Sequence, residues 1–450
     1  MTERPRDRYG DGGADAEADS DAAAVREHND VIGDKWRDPE RRRRLFERAV
    51  RLRRADRDLP DFQVLPDERD RAGLLVSSEE LLVRREDMAD CEDAVWRSGM
   101  LAVPVEALGG RVSRLVVRSD APHRDIMSRI ADLRRDAVPA EPSYITAMAV
   151  VIKSLGGAEP AQRSLPPLLT TMSAGGPVQV AVVDTGVTRQ TRSDGWLAGV
   201  AHDPGNIDPL DISPHNGLLD AAAGHGTAVS GLVQQEAPGV PLVVYNPIPS
   251  DGAATESVVA EVMVAAAREA FDAGQSVVLN LSLGTTTTDD QPPVALQAAV
   301  DEIADLAAQS GHEALIVAAA GNYGDDRPVF PGAIPGVVAV GALGQDLEPA
   351  PWSSRGDWVT CSVIGDGVLS VYVEGREDPE FDPVQPDAFG PDSFALHFGT
   401  SFAAPQVAGR VAQVATDEGM GLRDALDLVL ADARDVPGFG RALAIQPPIT

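Results

Sequence analysis

The sequence predicts an α/β protein, with a mostly parallel central sheet in its C-terminal two-thirds and a small α+β domain ahead of it. Three observations carry that reading. Beyond Pro177, short and nearly continuous apolar runs alternate with helical stretches, the pattern of strands buried on both faces of a doubly wound sheet. Before about residue 155, strand and helix signals alternate at shorter intervals. Between the two regions, residues 156–176 are rich in Pro, Gly and Ser without a sustained period and read as a linker.

The 450 residues suffice for two or three domains, and a hydrophobic content of 43% excludes wholesale disorder. The formal charge of -31 is unevenly spread. Residues 1–60 hold 15 acids and 15 bases, whereas residues 161–450 hold 37 acids against 11 arginines, a net of -26 with no lysine. So acidic a body repels phosphate, so neither nucleic acid nor an anionic membrane is expected as a partner. Two cysteines, Cys91 and Cys361, exclude a disulfide framework or a cysteine-rich zinc site. No apolar run approaches the roughly 18 residues that span a bilayer, and residues 1–10 lack the apolar stretch of a secretory signal. The expected location is the cytoplasm, with export by an unrecognised route left open.

Taken in order, residues 1–37 read as a disordered tail, because the first 25 are rich in Asp, Ala, Gly and Arg without periodicity. Residues 38–58 predict a basic helix with Leu45, Phe46, Ala49, Val50 and Leu52 as its apolar stripe. Its arginines either form a solvated face or dock on the acidic body of the same chain. Residues 62–155 predict a ferredoxin-like α+β domain: strands at 80–85 and 114–118, helices at 87–96 and 125–135, and a closing strand at 145–152. The body, 177–450, carries apolar strands at 178–183, 277–281, 315–319 and 337–340. Between them lie helices at 256–273 and 294–309, followed by Gly274 and Gly311. Such sheets gather functional groups at the carboxyl ends of their strands.

Four of these ends carry chemistry. Asp184 follows the strand Val180-Ala181-Val182-Val183 within Asp184-Thr185-Gly186; an acid here either caps a turn or serves a reaction. The triplet is also the signature of pepsin-like aspartic proteases, but those pair two carboxylates, and no second triplet occurs. His225 stands in Gly224-His225-Gly226-Thr227 at the start of an apolar helical stretch, where glycines permit close approach. Asn322 follows Ala318-Ala319-Ala320-Gly321; it suits a left-handed turn, and its amide can also donate to an oxyanion. Ser401 lies in Gly399-Thr400-Ser401-Phe402-Ala403-Ala404-Pro405 at a predicted helix start, with Pro405 placed in the first turn.

In sequence order these are an acid, a base, an oxyanion donor and a nucleophile, and residues 177–450 resemble the catalytic domain of the subtilisin-like serine proteases, the subtilase family. Asn280-Leu281-Ser282-Leu283-Gly284 resembles the family's strand beside the S1 pocket. Phe330-Pro331-Gly332 and Trp352-Ser353-Ser354-Arg355-Gly356 match further family stretches. The resemblance implies a subtilisin-like three-layer fold and peptide-bond hydrolysis through an acyl-enzyme. Ser401 would be the nucleophile, His225 the base, Asp184 its orienter, and Asn322 an oxyanion donor. It implies Ser282, Leu283, Gly284, Ala319, Ala320 and Gly321 as the walls of an open substrate cleft, and polypeptides as substrates. A sedolisin would carry an acid in place of His225. The rival reading is a catalytically silent scaffold of the same fold.

The chain departs from the family at Ala228, where a second histidine is common, and in the acidic, Pro-rich stretch 375–391, which looks like a surface insertion able to overhang the site. No cofactor is expected. The family often binds calcium, but no Asp spacing identifies a site, and no metal ligand is assigned. Size and position suit residues 62–155 to a propeptide that docks on the body and is cleaved between roughly 155 and 180. The alternative is a permanent regulatory domain.

Overall fold

The computed structural model describes residues 12–32, 38–56, 59–69, 72–88, 91–118, 120, 125–147, 158–170, 175–200, 204–379 and 386–449. Two helices lead, α1 (Gly12–Ile32) and α2 (Pro39–Ala55). The small domain follows as β1 (Phe62–Leu65), β2 (Leu74–Arg84), α3 (Glu92–Arg97), β3 (Met100–Pro104), β4 (Val112–Val117), α4 (Ile126–Arg135) and β5 (Glu141–Ala147). Its strands are ordered β3-β4-β2-β5, with β1 hairpinned onto β2 and every pair antiparallel. That is the βαββαβ order of a ferredoxin-like domain. Ile126, Ile130 and Leu133 of α4 bury their shared face against Leu81, Val83 and Leu115. Asp125 caps α4 by accepting the Ser128 N–H at 2.9 Å.

The boundaries differ from the sequence reading where polar residues interrupt an apolar run. The strand expected at 80–85 begins six residues earlier, because Leu74–Val76 precede a Ser-Ser-Glu-Glu stretch that the sheet carries through. The helix expected at 87–96 is a 3₁₀ turn, Arg85–Met88, followed by α3. The closing strand runs 141–147, and residues 148–152 of that expectation lie outside the described residues.

The body begins with β6 (Ala158–Pro160) and continues through β7 (Val178–Val183), α5 (His225–Glu236), β8 (Leu242–Tyr245), β9 (Ala253–Thr255), α6 (Glu256–Asp272), β10 (Ser276–Leu281), α7 (Val294–Ser310), β11 (Ala314–Ala319), β12 (Val338–Leu343) and β13 (Cys361–Ile364). After these come β14 (Asp366–Val371), β15 (Gly375–Arg376), β16 (Ala388–Phe389), β17 (Phe394–Phe398), α8 (Thr400–Glu418), α9 (Leu422–Val429), β18 (Arg434–Val436) and β19 (Gly440–Ala442). The central sheet is ordered β18-β19-β13-β12-β11-β10-β7-β8 and is parallel apart from the terminal β18–β19 hairpin. Strand alternation builds three layers. On β7, Val178, Val180 and Val182 pack with Val229 and Leu232 of α5 and Val407 of α8; Ala181 and Val183 turn to Met263 of α6 and Leu296 of α7. Each fully buried Val or Leu contributes roughly 1.5–3 kcal/mol.

Three expectations are corrected. The segment 12–32 is a helix, not a disordered tail. Its composition hid a docking face made of few residues at helical spacing: Asp21, Val25, His28 and Asn29, whose amide donates to Asp366 at 2.9 Å. The Asp21 carboxylate accepts the Gln162 N–H at 2.7 Å and pairs with Arg163 at 2.9 Å. Val25 packs on Leu396 and Phe398, and the His28 ring stacks on Phe398 with centroids 3.6 Å apart. Its Nδ1 lies 2.9 Å from Glu159 Oε1. Second, the linker is not wholly irregular: β6 pairs antiparallel with β17, Ala158 opposite His397. Third, the stretch 375–391 includes a short β15–β16 hairpin whose Phe389 is buried beside Leu219 and Ala223.

The second helix docks through buried arginines. The Arg53 guanidinium donates to both oxygens of Asp251 and, at 2.5 Å, to Ala253 O, and it lies over the Phe62 ring. Arg48 pairs with Asp378 at 3.5 Å. Among the described residues, no helix is long and apolar enough to cross a membrane. Arg53→Ala would strand the Asp251 carboxylate without its cation, and breaking a buried pair costs about 3–5 kcal/mol. Urea unfolding of the full chain is expected to show a loss of that size; a change below about 1 kcal/mol would contradict the assignment.

Candidate active site

Asp184 ends β7 fully buried, and its Oδ1 accepts the Thr185 N–H at 2.7 Å. His225 opens α5, and its Nδ1 lies 2.9 Å from Oδ1 and 3.1 Å from Oδ2 of Asp184. This approach depends on Gly226. A Cβ there would stand 2.2 Å from Gly186 O and 3.0 Å from Asp184 Oδ1, so any side chain would force the two elements apart. The other ring nitrogen, Nε2, is buried with no hydrogen-bond partner.

Ser401 is the second residue of α8, and Pro405 is the sixth, one turn later than expected. At that depth its missing N–H leaves a carbonyl four residues back without its helical partner, and that carbonyl belongs to Ser401. Ser282 fills the gap: its Oγ donates to Ser401 O at 2.7 Å and receives the Asn280 amide N–H at 2.9 Å. The Ser401 hydroxyl donates back to Ser282 O at 3.1 Å. The end of β10 and the first turn of α8 are thus tied by a reciprocal pair.

Asn322 follows β11. Its Oδ1 accepts both the N–H and the hydroxyl of Thr400, each at 3.0 Å, while its buried Nδ2 has no hydrogen-bond partner. A pinned oxygen fixes the plane of the amide and leaves its donors unused, which is the state an oxyanion donor requires. Ser401 and Asn322 line one cavity with Leu283, Gly284, Ala319 and Gly321. Ser282 instead faces α8, and Ala320 is fully buried with its N–H on Val340 O at 2.9 Å.

The pattern of the subtilase family covers residues 175–431. The chain belongs to the subtilase family, the subtilisin-like serine proteases. It is 29% identical over 244 residues to a thermophilic serine proteinase of Bacillus sp. (strain AK1), covering 53% of this chain and 52% of the relative. It is 28% identical over 258 residues to thermitase of Thermoactinomyces vulgaris, covering 55% and 78%. The chain thus spans about half the length of the first of these relatives. Among solved structures it is similar to fervidolysin from Fervidobacterium pennivorans, a keratinolytic enzyme related to subtilisin. The TM-score is 0.53 at 19% identity, covering 82% of this chain and 60% of that one, which bears on fold alone.

Several residues of this subtilase site had no sequence signal. Val329 fills the space between the two cleft walls: a Cβ on Gly284 would meet its Cγ1 at 2.7 Å, and one on Gly321 its Cγ2 at 2.9 Å. The cleft is therefore shallower than its small walls alone suggest. His397 is buried on β17 and stacks on Phe402, whose ring in turn lies 5.0 Å from that of His225. Burial pushes the His397 pKa down to about 3, so this second histidine is a neutral packing group near the first. Asp208 is buried in a loop that sequence periodicity does not mark, and its carboxylate accepts from Thr185 and from the Gly224 N–H. Among the described residues, no three His, Cys, Asp or Glu side chains converge as a metal-holding group.

Gly226→Ala is expected to separate His225 from Asp184 and lower peptide hydrolysis by roughly 10²-fold or more, since it removes the contact that orients the imidazole. Hydrolysis at the wild-type rate by a folded Gly226→Ala protein would show that the approach at Gly226 does not hold the pair together.

Proposed function

We propose that the protein is a serine endopeptidase acting through an acyl-enzyme, with Asp184, His225 and Ser401 as its triad and Asn322 in the oxyanion hole. The observation that carries this reading is the pairing of two buried, unpartnered groups with two pinned ones. His225 is held by Nδ1 on Asp184 with Nε2 unused, and Asn322 is held by Oδ1 on Thr400 with Nδ2 unused. For reaction, the Ser401 hydroxyl turns from Ser282 O to Nε2 of His225, which takes its proton as Oγ attacks the substrate carbonyl. Asp184 keeps the proton-bearing Nδ1 in place and stabilises the imidazolium. The Asn322 amide and the Ser401 N–H receive the developing oxyanion. His225 then returns the proton to the leaving amine, and water releases the acyl group by the same steps in reverse.

A serine-directed phosphonate is expected to label Ser401 and no other residue, and Asn322→Ala to lower kcat by about 10²–10³. A full-length protein that takes up no label, before or after incubation, would favour the silent scaffold.

The small domain supports a reading as an inhibitory pro-segment. Its last strand, β5, pairs antiparallel with β9, and Ala147 forms a two-way bridge with Gly284: N–H to O at 3.1 Å and the reverse at 3.2 Å. That strand occupies the edge a substrate backbone would take. The processed bond would then lie beyond Ala147, in the interval of roughly 155–180. The shallow cleft that Val329 leaves favours small residues on the acyl side of the cut. Intact-mass analysis of incubated protein is expected to find a break between roughly residues 155 and 180 that Ser401→Ala abolishes; no break there, or one that persists in that variant, rejects the pro-segment reading.

A further inference from the structure

Behind the triad lies a carboxyl group that the acyl-enzyme chemistry does not use. Asp208 is only 3% exposed. Its Oδ2 accepts the N–H of Gly224 at 2.8 Å and the hydroxyl of Thr185 at 3.2 Å, and its Oδ1 accepts the N–H of Leu210 at 3.0 Å. Thr185 follows Asp184, and its Oγ1 also accepts the Gly226 N–H at 3.0 Å. One buried side chain therefore holds the residue before His225 directly and the residue after it through Thr185. The backbone of this loop is fastened as well, with the Asp208 N–H on Val187 O at 3.0 Å and the Val187 N–H on Asn206 O at 3.1 Å.

We propose that Asp208 is a positioning residue of the triad, clamping the β7 end and the α5 start together so that Asp184 and His225 keep their register, and adding negative charge behind the imidazole. The proposal rests on the triad reading above. The donors that reach Asp208 are two backbone N–H groups and one hydroxyl, all neutral, and none cancels its charge. The titratable groups around it are Asp184 at the end of β7, His225 on α5 through Asp184, and Tyr372 just after β14. The Tyr372 hydroxyl is committed to Ala223 O at 3.0 Å. Burial pushes the Asp208 pKa up, opposed by its three hydrogen bonds and helped by the neighbouring Asp184 carboxylate, to about 7. Its charge therefore changes in the pH range where an imidazole base works. An ionised Asp208 favours the imidazolium that forms in the transition state, so removing that charge withdraws this stabilisation.

The test is peptide hydrolysis by full-length Asp208→Asn, Thr185→Val and Thr185→Ser beside the wild type, with phosphonate uptake measured in parallel. In Asp208→Asn, kcat is expected to fall about tenfold or more with KM within about twofold, and the acid limb of kcat/KM to change by losing the component near pH 7 where Asp208 gains its charge. Thr185→Val breaks the clamp but keeps the charge, so it should lose kcat with the acid limb unmoved, and Thr185→Ser should recover most of the loss. The proposal is overturned if Asp208→Asn keeps kcat within twofold of wild type, or loses it with an unmoved acid limb. Should Asp208→Asn fail to fold, the Thr185 pair decides: an unimpaired Thr185→Val, or an equally impaired Thr185→Ser, overturns it. A wild type that neither hydrolyses peptide nor takes up phosphonate removes the triad reading and this one with it. A labelled wild type beside an unaffected Asp208→Asn removes this one alone.

Discussion

The site depends on the reciprocal pair between Ser282 and Ser401. It joins the carboxyl end of a buried strand to the first turn of a helix in another layer, and it exists because Pro405 has no N–H to offer. Had an ordinary residue stood at 405, the Ser401 carbonyl would have been satisfied within its helix and the Ser282 hydroxyl would have needed another acceptor. The proline thus shifts an obligatory hydrogen bond from inside α8 to the sheet, fixing Ser401 against β10. Thr400, one residue earlier, does the same on the other side by holding the Asn322 oxygen and receiving the Gly321 N–H. Two adjacent residues at one helix start set the positions of both strand ends that flank the cleft.

The parallel sheet explains why these groups meet at all. Strands β7, β10 and β11 are neighbours in the sheet and run the same way, so the residues just beyond them, Asp184, Ser282 and Asn322, emerge on one edge. That edge was legible in the sequence because each strand is a short apolar run ended by a polar residue with a glycine close by. The motif glycines were legible too, and Gly226 shows why: the Asp184–His225 contact leaves no room for a Cβ. Legibility failed for different reasons elsewhere. Val329 and His397 act by filling space reached only through tertiary packing, and nothing in their neighbours' pattern marks them. Asp208 is one acid among many in an acidic body, and only its burial distinguishes it. The helix α1 was misread because its anchors, Asp21, Val25, His28 and Asn29, are mostly polar and do not register as an apolar period.

Charge behaves similarly. The excess of acid in the body looked like a bulk property, yet particular carboxylates face particular arginines of the leading helices: Asp251 with Arg53 and Asp378 with Arg48. Arg53 also holds Ala253 O, so the same contact that neutralises a buried acid braces the strand that pairs with β5. Composition locates the imbalance, and burial decides which few pairs matter.

The contacts of α1 give the chain an unusual connectivity. Asp21 and His28 lie near the start of the sequence, and their partners Glu159, Gln162 and Arg163 lie just past the stretch that joins β5 to the body. The chain therefore closes a loop on itself without a covalent bond, and the backbone between residues 147 and 158 is spanned a second time by side chains. A nick in that interval opens the ring but leaves both ends seated. The two pieces would migrate as a single particle in native solution and separate only when denatured.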